Sequence, residues 1–312
     1  MPGYIARRLL QTVPVVLGVT VLVFFMIHLV PGDPARNMLG TRATPEGIEA
    51  LRSAWGLDRP LMSQYWLFME RLAQGDLGDS LFFQEPSRTL IAERLPVTLL
   101  LVAFSTTFAV LIAVPLALLA ATKKNGLRDH AVRVIPLVGL GFPSFWIGIM
   151  LLLFVALPSD GLLPVGGYGD NLAEHLRAMI LPGLAVALGI APILIRSLRA
   201  SLLEVLDSDY IITARSKGLP RRRVLVRHGL RNAVISTVSV LGVNIAFLVA
   251  GTLVIEQVFA LPGIGNLMIS AIDQRDFPVV QGVTMVFAFL VVLVYLVTDV
   301  VHALLDPRVR LD

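Results

Sequence analysis

Two carboxylates, Glu256 and Asp299, and one side-chain amide, Asn244, stand inside or at the edges of long apolar runs. Charged groups in such places are costly and commonly serve transport, gating or proton relay. Glu256 closes one run and Asp299 lies late in the next, three residues before His302, where water or arginine partners reach both. Structural anchoring, contact with a passing solute and proton coupling all remain open for the two acids. For Asn244 the choice is between interhelical hydrogen bonding and a place in a pathway. Hydrolytic and metal chemistry find no support. A phosphate-binding loop needs Gly-x-x-x-x-Gly-Lys-Ser/Thr so that backbone amides and the lysine hold the phosphates. The three lysines, Lys123, Lys124 and Lys217, neither follow a glycine nor precede Ser or Thr. The five histidines, at 28, 130, 175, 228 and 302, have no metal-ligand spacing, and cysteine is absent. The chain is therefore expected not to be an enzyme, and to hold neither metal nor cofactor.

Composition says where these residues sit. Hydrophobic side chains make up 56% of the 312 residues and charged ones 15%, against about 25% charged in soluble chains; the mean hydropathy is +0.79. A soluble globular domain is excluded, and so is nucleic-acid binding, because the basic residues flank the apolar runs instead of forming a stripe. The expected fold is all-α and polytopic, with six membrane spans at Leu9–Val30, Val97–Ala121, Val134–Leu157, Ala178–Ile195, Ala233–Ile255 and Val279–Val301. Each is near the twenty apolar residues that a hydrocarbon core requires. The first follows Arg7 and Arg8, is too long for a cleaved signal and has no small-x-small site, so it is expected to be a retained anchor.

Arginine and lysine then orient the spans. With residues 1–8 inside, the inner pieces (1–8, 122–133, 196–232 and 302–312) hold 17 of the 26 basic residues. The outer pieces (31–96, 158–177 and 256–278) hold nine, seven of them in the long 31–96 segment, where the positive-inside bias is weak. Both termini are expected in the cytoplasm. Prolines 14, 115, 136, 143, 182 and 192 fall within spans, as ordinary kinks or as the bends of helices that open and close a pathway.

The outer segment 31–96 carries helix signals. Thr44-Pro45-Glu46 offers an N-cap hydroxyl, proline at the first helical position and an acid in the first turn, with Gly56 as a stop. Leu61, Tyr65, Phe68, Met69 and Leu72 form an amphipathic stripe ended by Gly75. This second helix is expected to lie on the membrane or cap the bundle; docking of an outside partner is the alternative.

Between the fourth and fifth spans runs DYIITARSKGLPRRRVLVRHGLRN, Asp209 to Asn232. Asp207, Ser208 or Asp209 can cap a short helix through Ile211 and Ala214. Gly218-Leu219-Pro220 breaks it, and a second helix from about Arg221 carries Val224, Leu225 and Leu230 into the next span. A short rigid helix in that place can sit in a groove on another protein and turn its movement into tilting of the spans. Arg221-Arg222-Arg223 by itself is also accounted for as a topology signal.

This loop resembles the EAA loop of the membrane subunits of binding-protein-dependent ABC importers, in particular the first permease subunit of the dipeptide/oligopeptide/nickel family. Ile212-Thr213-Ala214 stands at the acid-Ala-Ala position, and Gly218 at the family's glycine. The general superfamily has an acid where this chain has Ile212, a place where the peptide/nickel branch commonly departs too, and the family's downstream Leu-Pro is replaced by Leu230-Arg231-Asn232. The likeness covers the whole chain. It includes YIARRLLQTVPVVLGV, LVPGDPA at 29–35, GDLGDS at 75–80, GFPSFWIG at 141–148, LPG at 181–183, EQVFALPGIGNLMISAIDQRDFPVVQG at 256–282 and LLDPR at 304–308. The resemblance implies a permease in the bacterial cytoplasmic membrane, forming half of a pore with a second homologous permease. Two cytoplasmic ABC ATPases and an extracytoplasmic substrate-binding protein complete the importer, which works by alternating access. It implies ATPase docking at Asp209, Tyr210, Thr213, Ala214, Arg215, Ser216, Lys217 and Gly218, and leaves Asn244, Glu256 and Asp299 as candidate pathway or gate residues. Di- or oligopeptides are the first expected solute, with nickel and glutathione next. An ion-coupled secondary carrier using Glu256 or Asp299 is the rival of a different class, though no inverted repeat is evident. A non-transporting scaffold leaves the loop without a purpose.

Overall fold

The computed structural model describes residues 2–40, 43–122 and 126–305. Lys123 and Lys124 of the second expected inner piece lie outside the described residues, as does Asp306–Asp312, with the last residues of LLDPR. Every regular element among the described residues is helical, apart from one isolated antiparallel bridge between Asp79 and Pro86. The first helices are α1 (Pro2–Leu29), α2 (Pro34–Leu39), α3 (Pro45–Trp55) and α4 (Leu61–Ala73). Next come α5 (Ser87–Thr122), α6 (Leu127–Gly139), α7 (Ser144–Leu151), α8 (Leu172–Ala178) and α9 (Ile180–Leu206). The last are α10 (Asp209–Ser216), α11 (Arg221–Arg223), α12 (Arg231–Gly251), α13 (Leu253–Val258), α14 (Ile264–Asp273) and α15 (Phe277–Leu305).

Among the described residues, five stretches are long and apolar enough to cross a membrane: Arg7–Leu29, Ser87–Thr122, Leu172–Leu206, Arg221–Gly251 and Phe277–Leu305. Two shorter apolar helices, Ser144–Ser159 and Ile264–Asp273, accompany them, and the first falls in the third expected span. The third expected span, Val134–Leu157, is thus not one helix. Gly139, Gly141 and Pro143 interrupt it: the backbone turns through Gly141 N–H to Val138 O and Phe142 N–H to Gly139 O, and the helix restarts behind Pro143. Proline cannot donate to the preceding turn, so a glycine-rich approach to it ends the first segment.

The chain divides into two compact units. One comprises residues 2–98 and 262–292. Within it α3 begins as the sequence foretells, with the Thr44 hydroxyl accepting from Gly47 N–H at 3.1 Å and Gly56 ending the helix at φ 66°. The stripe on α4 packs on α1: Tyr65 Oη lies 2.9 Å from Thr20 Oγ1, and the Tyr65 and Phe68 rings flank Phe24. His28 Nε2 sits 3.0 Å from Gln64 Oε1, while the Gln64 amide donates to the carbonyls of Leu57 and Arg59. A buried polar seam of this kind fixes the angle between α1 and α4, since each orphaned group would cost about 1–3 kcal/mol. The start of α14, with glycine at its N-cap, is closed by the Thr98 hydroxyl, which accepts from Ile264 N–H at 2.9 Å.

The other unit comprises residues 99–261 and 293 onward. Ala109, Ala113, Ala117 and Ala121 recur every four residues on α5 and are all buried, as are Ala187 and Ala191 on α9. Small residues at this spacing let helix backbones approach closely where lipid offers no hydrophobic drive. Gly183 is part of the same device, a Cβ there meeting Phe104 Cβ at 2.9 Å. Gly242 on α12 lies so close to Thr298 on α15 that a Cβ would overlap its side chain. A charged clamp adds to the apolar contacts. Asp129, in the first turn of α6, is fully buried and receives Arg199 of α9 in a two-pronged pair, Nε at 2.5 Å and Nη2 at 2.7 Å, with Arg133 Nε at 3.9 Å.

Two stability outcomes follow from these contacts, with Gly18 of the other unit as the control. Gly242→Val should lower stability by about 1–3 kcal/mol, the range for overpacking, whereas Gly18→Ala, with open space around its Cβ, should stay within about 0.5 kcal/mol. Asp129→Ala should cost about 3–5 kcal/mol because it strands Arg199, and the Asp129→Ala/Arg199→Ala pair should cost less than the sum. Unfolding in mixed micelles reads both; equal losses for the two glycine variants would refute the helix contact.

Candidate functional site

The loop between the fourth and fifth spans folds as a helix, a glycine turn and a second helix. The α9 helix does not stop at the end of its apolar run but continues to Leu206, because Leu198, Leu202 and Leu206 keep one buried edge going past Arg196 and Glu204. Asp207 ends it, and Ser208, extended at φ −78° and ψ 152°, opens α10 without a side-chain cap bond. Gly218 takes φ +74°, with nothing near the position of a Cβ. The left-handed conformation is what asks for glycine here, not lack of room. Pro220 then precedes α11, which runs through a π-helical stretch, Val224–Leu230, into α12 as one 31-residue helix from Arg221 to Gly251.

Two faces of α10 differ sharply. Ile211 and Ala214, three residues apart, are buried in a cluster with Ala117, Leu198, Leu202, Leu206, Val224 and Ala233. Asp209, Tyr210, Thr213, Arg215, Ser216, Lys217 and Gly218 are exposed. Ala214, grouped with them in the sequence reading, faces the core. Ile212 points the other way and is 53% exposed beside the half-exposed Tyr210. An isoleucine out of phase with the buried pair is the signal that the sequence carries for this exposed apolar face. Tyr210 is tied back to the second helix: Asn232 Nδ2 donates to its hydroxyl at 2.8 Å and to His228 O at 2.9 Å. Thr213 donates to Asp209 O at 3.0 Å. Gly229, in the π-helical stretch, sits 3.3 Å by its would-be Cβ from Leu206 Cδ2. The loop is therefore one packed body, with an outward face that is polar, basic at Arg215 and Lys217, and apolar at Ile212 and Tyr210.

The three candidate pathway residues do not form one cluster by chain position. Asn244 and Asp299 lie two and one residues from the Gly242–Thr298 crossing of α12 and α15. Glu256 stands on α13, after the helix break at Thr252, and is fully buried. Asn244 Nδ2 donates to Val240 O at 2.7 Å, one turn back on its own helix. Glu256 and Asp299 are each engaged with neighbouring groups. Among the described residues no three His, Cys, Asp or Glu side chains gather as a metal cluster.

Comparison with known proteins places the whole chain. Residues 113–311 match the family described as binding-protein-dependent transport system inner membrane component, and residues 1–102 match the N-terminal membrane-component family of the same systems. The chain is 38% identical over 310 residues to the glutathione transport system permease protein GsiC of Escherichia coli O6:H1 (strain CFT073), covering 99% of each. It is 38% identical over 317 residues, the full length of both, to a Brucella abortus (strain 2308) protein provisionally named as a peptide transport system permease. Among solved structures, the MetNI methionine ABC transporter in inward-facing conformations matches with a TM-score of 0.58 at 17% identity. That match covers 70% of this chain and 96% of the other, and at this identity it speaks for the fold. The all-α polytopic fold, the α9–α12 loop and both family matches converge: the chain belongs to the binding-protein-dependent transport system inner membrane components, and it is the multi-pass inner-membrane permease subunit of an ABC importer.

Proposed function

We propose that this subunit forms half of a translocation pathway for di- or oligopeptides, and that α10 is where a cytoplasmic ABC ATPase pushes it. The observation that carries the reading is the division of α10 between a buried edge, Ile211 and Ala214, and an outward face of Asp209, Tyr210, Ile212, Thr213, Arg215 and Lys217. A helix gripped on one side and open on the other transmits force instead of absorbing it. Closure of an ATPase pair would move α10, and with it α9 and the long Arg221–Gly251 helix, in the rigid-body manner of alternating access. ATP and magnesium would be held by those ATPases, since this chain has no phosphate-binding loop. A second, homologous permease would complete the pore, and an extracytoplasmic binding protein would deliver the solute. The charge distribution supports termini, the Asp129 region and α10 on the cytoplasmic side, with residues 31–96, 158–177 and 256–278 outside. Peptide is favoured because relatives alike over their full lengths carry peptide and glutathione transport names, and glutathione is itself a small peptide.

Gly218→Asp should abolish uptake in cells while leaving insertion and the yield of folded chain intact. Ile212→Glu should lower the amount of ATPase recovered with the tagged chain in mild detergent by at least tenfold. Native pull-down of the wild-type chain should bring two ATPases, a second permease and a binding protein. Recovery of the chain alone, moving solute on an ion gradient, would overturn the reading and favour a secondary carrier working through Glu256 or Asp299.

A further inference from the structure

Two sequence signatures separated by nearly two hundred residues meet at one carboxylate. Asp276, in the stretch before α15, is 2% exposed. Its Oδ2 accepts a short hydrogen bond from the Ser80 hydroxyl and a second from Phe82 N–H at 3.3 Å. Ser80 ends GDLGDS, and its hydroxyl also accepts from Phe83 N–H at 2.8 Å. The other oxygen, Oδ1, is buried without a hydrogen-bond partner among the described residues. A carboxylate oxygen left so is expensive, and structures that retain one commonly have a use for it.

That oxygen belongs to a residue lining a cavity of about 370 Å³ within the unit of residues 2–98 and 262–292. Arg275, Gln274 and Asn37 line it too, with Met38 and Phe82 among its apolar wall. Arg275 occupies the left-handed region at φ 55°, just past the end of α14. Glycine is the residue that ends a helix there at least cost, so an arginine side chain is held in this place against a backbone preference. The residues lining this one small space thus include an aspartate, an arginine, an asparagine and a glutamine beside an apolar wall. A bare divalent ion would want several hard ligands, and no three-ligand cluster exists among the described residues. A lone organic cation would meet Arg275. A molecule with a primary ammonium at one end, a carboxylate at the other and a modest apolar side chain satisfies all of these groups at once.

We propose that the Asp276 cavity is a binding site for a small zwitterion, with its ammonium on Asp276 Oδ1 and its carboxylate on Arg275. This deepens the peptide reading above and rests on it for the choice of occupant: a dipeptide has these ends, and 370 Å³ lies within the range of small-ligand pockets. The permease would then examine the termini of a solute itself, in addition to any selection by a binding protein.

The test uses the full chain in nanodiscs and radiolabelled alanyl-leucine, with N-acetyl-alanyl-leucine and alanyl-leucine amide as competitors. Asp276→Asn keeps an acceptor oxygen for Ser80 and Phe82 while replacing Oδ1 by an amide donor. Arg275→Gly removes the guanidinium and relieves the left-handed backbone, so its melting temperature should hold or rise. Saturable dipeptide binding should weaken at least tenfold in each variant, and each blocked peptide should compete at least tenfold less well than the free one. Unchanged affinity in either variant, equal competition by a blocked peptide, or no saturable binding to the wild-type chain would overturn the site. Uptake by the assembled wild-type importer separates this from the peptide reading. Dipeptide uptake with variant-insensitive binding sinks the site alone. Variant-sensitive binding without uptake of any peptide sinks the peptide reading and leaves the site standing.

Discussion

The seam under α10 joins Ile211 and Ala214 to Leu198, Leu202, Leu206 and Val224, and what this subunit can transmit depends on it. Fully burying an aliphatic side chain of this size is worth about 1.5–3 kcal/mol, so a few such contacts exceed the cost of holding an eight-residue helix that would be marginal alone. Because α9 runs unbroken to Leu206 and the next helix is continuous from Arg221 to Gly251, the seam joins two membrane helices below their apolar ends. The Asn232–Tyr210–His228 hydrogen bonds close the same body from its polar side. In the proposed coupling, a push on the outward face of α10 would pass through this packed body to α9 and α12.

Much of this was legible in the sequence because its signals were local. Thr44-Pro45-Glu46 and Gly56 bound α3 as the cap rules say, and the apolar stripe of α4 meets α1 through Tyr65 and Phe68. Gly218 and Pro220 mark the turn in the loop because φ restrictions act residue by residue. Helix ends beyond the apolar runs were less visible: Arg196 and Glu204 read as loop, yet the leucines at four-residue intervals carry α9 onward. The third span was expected as continuous because Pro136 and Pro143 sit in an apolar run; it breaks where glycines at 139 and 141 add their freedom to the proline.

Long-range pairs were hidden for a different reason. Nothing in the spacing of Asp129 and Arg199, or of Ser80 and Asp276, announces that they meet; only the packing of distant helices brings them together. Both pairs place a buried carboxylate between distant segments: Asp129 is charge-paired with Arg199, since a lone buried charge is far costlier than a paired one, and Asp276 is held by hydrogen bonds from Ser80 and Phe82. The family likeness identified the outer signature around Asp276 without saying what its side chain touches. Asn244, conspicuous by polarity in an apolar run, donates to Val240 O one turn back on its own helix, and the fully buried Glu256 interacts with a neighbouring group.

Rigidity of α10 on its two helices is the central physical claim, and the absence of cysteine from this chain makes it directly measurable. Spin labels at Lys217 and at Ala200, both exposed, would report the distance between α10 and α9 by pulsed electron resonance in the assembled importer, with and without ATP. One narrow distance that persists in both states is the predicted result. A broad distribution, or a distance that shifts with nucleotide, would mean that α10 moves on its own and that the seam does not carry the stroke.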